Sequence, residues 1–278
     1  MNDIEYDYIK RKIRQLVRID LDNYRANQMM RRLDGFISRS DATDVVRYCN
    51  RLEQDAREVE KLRNFLTINV TEFFRDYSHF ETLQKFILPE LLKNSSSLNI
   101  WSAGCSDGEE SFSIALTLAE ITPNVKCRIM ATDIDNESLR KATAGGPYRP
   151  AEIRNVPPPL IEKYFTYSND VYWVNEHLRD KVVFFQHDLT RDAFPINLDL
   201  IICRNVTIYF SNEAKKMINL GFWNSLKDNG VLFIGATETM LNAAEIGFEK
   251  LYPCFYKKNS MSTMKKPKVL LSVVPGSR

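Results

Sequence analysis

Over the first seventy residues apolar side chains recur three or four apart, as in Ile13, Leu16 and Val17 and again in Met29, Met30, Leu33, Phe36 and Ile37. That period lines one face of an α-helix. Gly35 is the single glycine of the stretch and proline is absent, so the pattern predicts a helical lobe. Helix starts are expected at Asp22 or Asn23, at Asp41 or Thr43 and along Glu58–Glu60, where a capping or acidic side chain precedes a periodic run. Gly35 with Ser38-Arg39-Ser40 reads as a helix end.

From Leu98 the texture changes. Short apolar runs at 98–103, 127–132, 182–186, 198–203 and 230–235 alternate with helical patterns, which predicts a parallel sheet covered by helices on both faces. Between the second and third runs lies a proline-containing stretch, Pro147 to Pro159, followed by aromatic-rich runs on either side of Ser168-Asn169-Asp170. This reads as a hairpin turn and places a small antiparallel β insertion at about residues 147–182. Phe248–Tyr252 and Cys254–Tyr256, split by Pro253, predict that the sheet ends in an antiparallel pair. The expected class is therefore α/β, a doubly wound and mostly parallel sheet, with an all-helical N-terminal domain. Expected boundaries are 1–70 for the helical domain, 71–97 for a linker and lead-in helix, 98–258 for the sheet domain and 259–278 for a tail or linker stub.

Composition narrows the function classes. A chain of 278 residues, 44% apolar and 27% charged, has the balance of a globular protein and not of a disordered, collagen-like or disulfide-stapled one. No apolar run reaches membrane-spanning length, and the N-terminus Met1-Asn2-Asp3-Ile4-Glu5 is acidic, so a cytoplasmic location without membrane insertion is expected. The five cysteines are scattered, and the three histidines form no H-x-x-H or H-x-H pair, so no metal site is expected. A net charge of +2 does not mark a nucleic-acid binder.

The most informative segment is Trp101-Ser-Ala-Gly-Cys-Ser-Asp-Gly-Glu-Glu110, directly after the first sheet run and opening a helix. Gly104 and Gly108 in a strand-to-helix turn let backbone approach a ligand closely. The second run ends in Thr132-Asp133-Ile134-Asp135, where doubly wound folds place an acid that accepts ribose hydroxyls. One of these aspartates is expected to cap the following helix instead. Glu109 and Glu110 suit a helix N-terminus whatever the function, yet they would repel a pyrophosphate. A positively charged sulfonium meets no such objection, so S-adenosylmethionine fits this loop better than NAD.

Four motifs together, Asn69-Val-Thr-Glu-Phe-Phe-Arg75, Ile100 to Glu110, Ala131-Thr-Asp-Ile-Asp135 and Cys203-Arg-Asn-Val-Thr-Ile-Tyr-Phe210, closely resemble the chemotaxis receptor methyltransferases, the CheR family, over residues from about 20 to 257. The resemblance implies a seven-stranded-type S-adenosylmethionine methyltransferase sheet and transfer of methyl to glutamate side chains on the cytoplasmic helical bundle of chemoreceptors, for chemotactic adaptation, with S-adenosylhomocysteine as product. It implies that Asn69, Thr71 and Arg75 reach the cofactor from the interdomain linker, that Gly104, Glu110 and Asp133 bind it from the first two strand ends, and that Asp188, Leu189, Arg204 and Asn205 complete the pocket. Arg75 and Tyr209 are implied to face the methyl-transfer centre as the catalytic residues, with Phe73 and Phe74 anchoring the linker.

The chain departs from the family pattern in places. Thr207 replaces a common methionine, Asp107 takes a usual threonine position, Asp188 stands where asparagine is common, and Gly235-Ala-Thr-Glu238 replaces Gly-His-Ser-Glu. The last change leaves room for an alternative, a non-catalytic module that binds the adenosyl ligand in signalling. The absence of an N-P-P-Y-type segment after the fourth sheet run counts against base methylation. The poverty of catalytic residues is no objection to glutamate methylation, because a glutamate with a reference pKa near about 4.3 is already ionised at neutral pH.

Residues 10 to 39 carry nine basic side chains against three acidic. Arg11, Arg18, Arg25, Arg32 and Arg39 recur every seven residues, a step that drifts only about 20° around a continuous helix, so Arg25, Arg32 and Arg39 are expected to dock on the acidic receptor bundle. Some family members capture a receptor-tail pentapeptide at the edge of the β insertion through a longer, glycine-containing turn. The short Tyr167 to Val171 connection here predicts no pentapeptide binding.

Overall fold

A computed structural model describes residues 1–67, 69–93, 95–240 and 242–259. The chain opens with α1 (Asp3–Leu16), where the Asn2 side chain accepts the Glu5 N–H and the Glu5 carboxylate accepts the Asn2 N–H. This reciprocal cap satisfies amides that a helix start otherwise leaves without partners. α2 (Ala26–Ile37), α3 (Val45–Gln54) and α4 (Ala56–Leu66) follow. Their apolar faces enclose a core around Ile9, Ile13, Leu33, Tyr48 and Leu62, separate from that of the sheet.

The helix starts differ from those expected. Asp44 caps α3 and Asp55 caps α4, while Glu58 lies inside α4 and bridges Arg51 and Lys61. Asp22 and Asn23 belong to a single 3₁₀ turn, Leu21–Asn23, and α2 begins only after Arg25. The cause is tertiary. The Ser211 N–H donates to the Asn23 carbonyl, the Arg25 N–H donates to the Tyr209 carbonyl, and Tyr24 faces Phe210 in an antiparallel bridge. This pairing holds the chain extended where local propensity favours a helix. Gly35 lies within α2, which ends at Ile37 with Ser38 as its cap.

After the helical segments Tyr77–Thr82, Leu83–Ile87 and Leu88–Leu92 come β1 (Ser97–Ala103), β2 (Lys126–Asp133), the hairpin β3 (Phe165–Ser168) and β4 (Val171–Val174), then β5 (Val182–Gln186), β6 (Leu198–Cys203), β7 (Leu226–Ile234), β8 (Phe248–Tyr252) and β9 (Phe255–Lys258). The seven-stranded sheet has the order β5-β2-β1-β6-β7-β9-β8. Its first five strands are parallel, and β9 runs antiparallel to both neighbours, as Pro253 suggested. The chain steps outward from β1 through β2 to β5 and then crosses back to β6. The strand order therefore reverses between β1 and β6, and doubly wound sheets bind their ligands in the crevice beyond such a reversal.

β7 starts earlier than its apolar run, because Leu226 already pairs with Leu198 before a register shift at Asn229, whose φ is 65°. The insertion between β2 and β5 is a two-stranded ribbon among short helices. At its tip Asn169 and Asp170 have φ of 51° and 61°, which matches a two-residue type I′ turn. Residues 260–278, nearly all of the expected tail, lie outside the described residues. No described helix is long and apolar enough to cross a membrane.

Candidate active site

Beyond the C-terminal ends of β1, β2 and β6 opens a cleft. Asn69, Thr71 and Arg75 line it from the linker, Gly104, Glu110 and Asp133 from the ends of β1 and β2, Asp188 and Leu189 from the segment after β5, and Arg204, Asn205 and Tyr209 from the segment after β6. The structure thus brings the expected cofactor and catalytic positions to one place.

The floor is the turn after β1. Gly104 has φ of 82°, and a Cβ on it would lie 2.4 Å from Val206 Cγ2, so only glycine lets the turn close against the loop after β6. The Gly104 and Cys105 amides donate to the Thr132 carbonyl, and the Ser106 amide donates to Asp133 Oδ2 at 2.8 Å. The two aspartates at the end of β2 have divided their work. Asp135 caps the helix Asn136–Ala144 through its Oδ1, and its Oδ2 accepts the Thr67 hydroxyl and the Asn69 amide, each at 2.8 Å. Asp133 lines the cleft, and burial lifts its pKa to about 6. Asn69 is therefore positioned through Asp135.

The two glutamates that follow Gly108 also part company. Glu110 lines the cleft, accepts the Ser102 hydroxyl at 2.9 Å and lies 3.6 Å from Arg204 Nη1. Burial raises its pKa, and Arg204 and Ser102 oppose that shift. Glu109 is fully buried away from the cleft lining, and neither of its oxygens has a hydrogen-bond partner among the described residues. Burial, reinforced by the neighbouring Asp107, pushes its pKa up to about 8. Its carboxylate clusters with those of Asp107 and Glu152, ligand atoms within 4.8 Å of one another, and the Lys141 ammonium reaches Asp107 at 2.7 Å and Glu152 at 3.4 Å. That ammonium is the countercharge of the cluster.

Arg204 is buried, and its Nη2 donates to the Arg75 carbonyl at 2.9 Å and to Asp76 Oδ2 at 2.8 Å. Its guanidinium also lies over the Phe233 and Phe80 rings. It acts as a clamp between the linker and the end of β6, with its charge answered by Asp76 and Glu110. Arg75 differs. Its Nη1 donates to the Val70 carbonyl at 2.9 Å, and it lines the cleft without an ion pair among the described residues, its charge felt by Glu110. Phe73 and Phe74 are buried, and the Phe74 amide donates to Ser113, which anchors the linker to the sheet domain.

Two residues escaped the sequence reading. Glu238 accepts the amides of Gly235, Asn205 and Thr207 and the Thr207 hydroxyl, all between 2.7 and 2.8 Å. It fixes the loop that carries Asn205 and Tyr209, and the sequence reading met it only as the unchanged last residue of the Gly235–Glu238 segment, with no role assigned. Thr207 adds a hydroxyl contact to this clamp, while Ala236 is exposed and outside the cleft lining. Tyr24 lines the cleft from the helical lobe and packs on Phe210 at 5.0 Å. Burial, with Asp188 and Asp133 nearby, holds its phenol well above the usual pKa, so it remains an O–H donor. No periodicity marks it.

Residues 69–252 match the model described as CheR methyltransferase, SAM binding domain, and residues 4–67 match CheR methyltransferase, all-alpha domain. The chain belongs to the CheR methyltransferase family. It is similar to chemotaxis protein methyltransferases from Listeria monocytogenes (34% identical, over 92% of this chain and 98% of that protein), Borreliella burgdorferi (32%, 92% and 97%) and Escherichia coli (33%, 86% and 85%).

The cleft of this CheR-family chain fits S-adenosylmethionine on its own geometry. Its floor is closed to a Cβ at Gly104, and carboxylates of Glu110, Asp133 and Asp188 line its walls, a donor set that favours hydroxyls and a cation over a pyrophosphate. Of the arginines expected to dock on a partner, Arg25 immediately precedes α2 and Arg32 lies within it, and both line one surface depression with Arg31, while Arg39 follows the helix end and Arg18 lies in the turn after α1, so the full recurrence does not run along one helix. Arg32 donates to the Phe65 carbonyl and lies 4.9 Å over the Phe65 ring, which commits it to packing within the lobe.

Proposed function

We propose that the protein methylates glutamate side chains on the cytoplasmic helices of chemoreceptors, acting on the cytoplasmic side. Bound S-adenosylmethionine supplies a methyl group made electrophilic by its sulfonium, and S-adenosylhomocysteine remains after transfer. Asp133 would accept hydrogen bonds from the ribose hydroxyls, Glu110 would face the cationic end of the cofactor, and Asn69, Thr71, Gly104, Asp188, Leu189, Arg204 and Asn205 would shape the rest of its pocket. The substrate glutamate arrives ionised and needs no general base. Arg75 orients that carboxylate and the Tyr209 hydroxyl offers a second donor, so that one oxygen remains free to attack in line.

The observation that carries this reading is Arg75, a cation lining the cleft that forms no ion pair among the described residues. The Glu238 clamp, which holds the loop bearing Asn205 and Tyr209 despite the altered Gly235–Glu238 segment, supports a catalytic reading over a non-catalytic module. The two-residue turn at Asn169 and Asp170 supports an enzyme that works without a receptor-tail pentapeptide. The test is transfer of labelled methyl from S-adenosylmethionine to a purified chemoreceptor cytoplasmic fragment, with alkaline release of the label. Base-labile label on the fragment, lost in Arg75→Ala, is expected; cofactor binding without ester formation on any fragment refutes the reading.

A further inference from the structure

Arg75 sits in a stretch of backbone that the chain would not adopt unaided. Phe74 has φ of 50° and Asp76 has φ of 57°, so left-handed residues stand on both sides of it. A bulky side chain rarely takes that conformation, because its Cβ crowds the backbone. Such backbone persists only where the surroundings over-determine it, and it collects at functional sites.

The contacts that hold it come from outside the cleft lining. The Phe73 N–H donates to the Glu152 carbonyl at 2.9 Å, and Asn155 donates through Nδ2 to the Phe73 carbonyl at 3.3 Å. Both partners belong to the insertion between β2 and β5, whose Tyr148 and Phe165 also meet the Phe73 ring edge-on at 5.0 and 5.3 Å. One residue on, the Phe74 N–H donates to Ser113 Oγ at 2.9 Å. The Ser113 hydroxyl is fully buried and donates to the Glu109 carbonyl at 2.6 Å, which leaves its oxygen free to accept from the linker. Arg204 then holds the Arg75 carbonyl. The backbone of 73, 74 and 75 is thus fastened to separate partners, and Glu152, Asn155 and Ser113 all lie outside the cleft lining.

We infer that Asn155 and Ser113 are positioning residues for methyl transfer, bracing the left-handed linker so that the Arg75 guanidinium stays in the cleft. This rests on the methyltransferase reading above, in which Arg75 orients the substrate carboxylate. Released, Phe74 would relax toward the right-handed or extended region and carry Arg75 with it, and a misplacement of about 1 Å can cost about a hundredfold in rate. The test compares the full-length protein with its Asn155→Ala, Asn155→Asp, Ser113→Ala and Arg154→Ala variants. Three quantities are measured: steady-state methyl transfer to a purified chemoreceptor cytoplasmic fragment, calorimetric binding of S-adenosylhomocysteine, and hydrogen exchange of the peptide spanning 73–75. Asn155→Asp keeps the size but points an acceptor at the Phe73 carbonyl. Arg154→Ala removes only an ion pair with Glu72 whose arginine is largely exposed, so it should stay near wild type. kcat should fall about tenfold in Asn155→Ala and Ser113→Ala and at least as far in Asn155→Asp. KM for the fragment and affinity for S-adenosylhomocysteine should hold, and faster exchange should be confined to the linker. Asn155 is only half-buried, so its variants carry the test if Ser113→Ala, which leaves a buried amide without a partner, fails to fold. Unchanged kcat or unchanged linker exchange in Asn155→Asp overturns the brace, as does an equal fall in kcat in Arg154→Ala or a loss seen only in KM or cofactor affinity. If the wild type transfers no methyl, the methyltransferase reading itself fails whatever the exchange shows, and the positioning role falls with it.

Discussion

Replacing Glu109 with glutamine removes a fully buried carboxylate whose two oxygens have no hydrogen-bond partner among the described residues, and the consequence should depend on pH. Its pKa rises from 4.5 to about 8 on folding. The native state therefore keeps a proton that the unfolded chain releases once the pH exceeds 4.5. Over that window the unfolded state binds fewer protons, so stability falls as pH rises, and the loss is complete only above the folded pKa. Each pH unit corresponds to about 1.36 kcal/mol. The wild type thus gives up about 3 kcal/mol by pH 7 and about 4 kcal/mol by pH 8 through this one group.

Glu109→Gln cannot titrate, and its amide closely matches a protonated carboxyl in size. The two proteins should lie within about 1 kcal/mol of each other near pH 5 and diverge steadily above it, the variant becoming the more stable. Urea unfolding at several pH values, followed by tryptophan fluorescence, measures the difference directly. A wild-type-minus-variant difference that stays constant from about pH 5 to about pH 8 refutes the reasoning. It would mean that Glu109 is ionised throughout and that the Lys141 ammonium, seen on Asp107 and Glu152, answers it instead.

Two further outcomes follow from the cleft. With the Asp133 pKa at about 6, its carboxylate is ionised above that value, and affinity for S-adenosylhomocysteine should weaken as the pH falls through it; calorimetric titration that shows a flat affinity across this range would remove Asp133 from ribose binding. Glu238→Gln keeps one acceptor oxygen but turns an NH₂ group toward the amides that Glu238 now accepts, so it should cost about 2 kcal/mol in stability and lower kcat. Unaltered thermal unfolding and turnover would show that the loop after β6 holds its shape without the clamp.

Much of the sheet was legible because its central strands are buried on both faces. β6, buried at every position, coincides with its apolar run, because a parallel strand covered by helices has no polar face to blur the signal; β5 and β8 also coincide with theirs, although they are the two edge strands of the sheet and largely exposed. β7 was cut short because its first residues, Leu226-Lys227-Asp228-Asn229, are mostly polar; Lys227 answers Asp199 at 2.9 Å, a contact invisible before the strands are paired. Asp133 was legible from its place after an apolar run. Its separation from Asp135 was not, since only the fold shows which carboxylate meets Thr67 and Asn69. Tyr24 and Glu238 escaped for the same reason: each acts through backbone brought from distant sequence, and neither breaks a local pattern. The arginine recurrence was legible only in part: Arg25 and Arg32 line one depression while Arg18 and Arg39 fall outside α2, because a period implies a face only within one uninterrupted helix.

The junction between Asn23–Arg25 and Tyr209–Ser211 carries two separate loads. It puts Tyr24 into the cofactor cleft, and it holds the Tyr209 carbonyl from the other domain. A helical lobe that served only to dock a substrate could be joined by a loose linker, because docking needs reach more than register. Here the lobe shares hydrogen bonds with the segment that bears the proposed catalytic tyrosine. A displacement of the lobe would therefore move Tyr209 and open the wall made by Tyr24 together. A contact made on the lobe near Arg25 would thereby be transmitted through backbone to the segment that bears Tyr209.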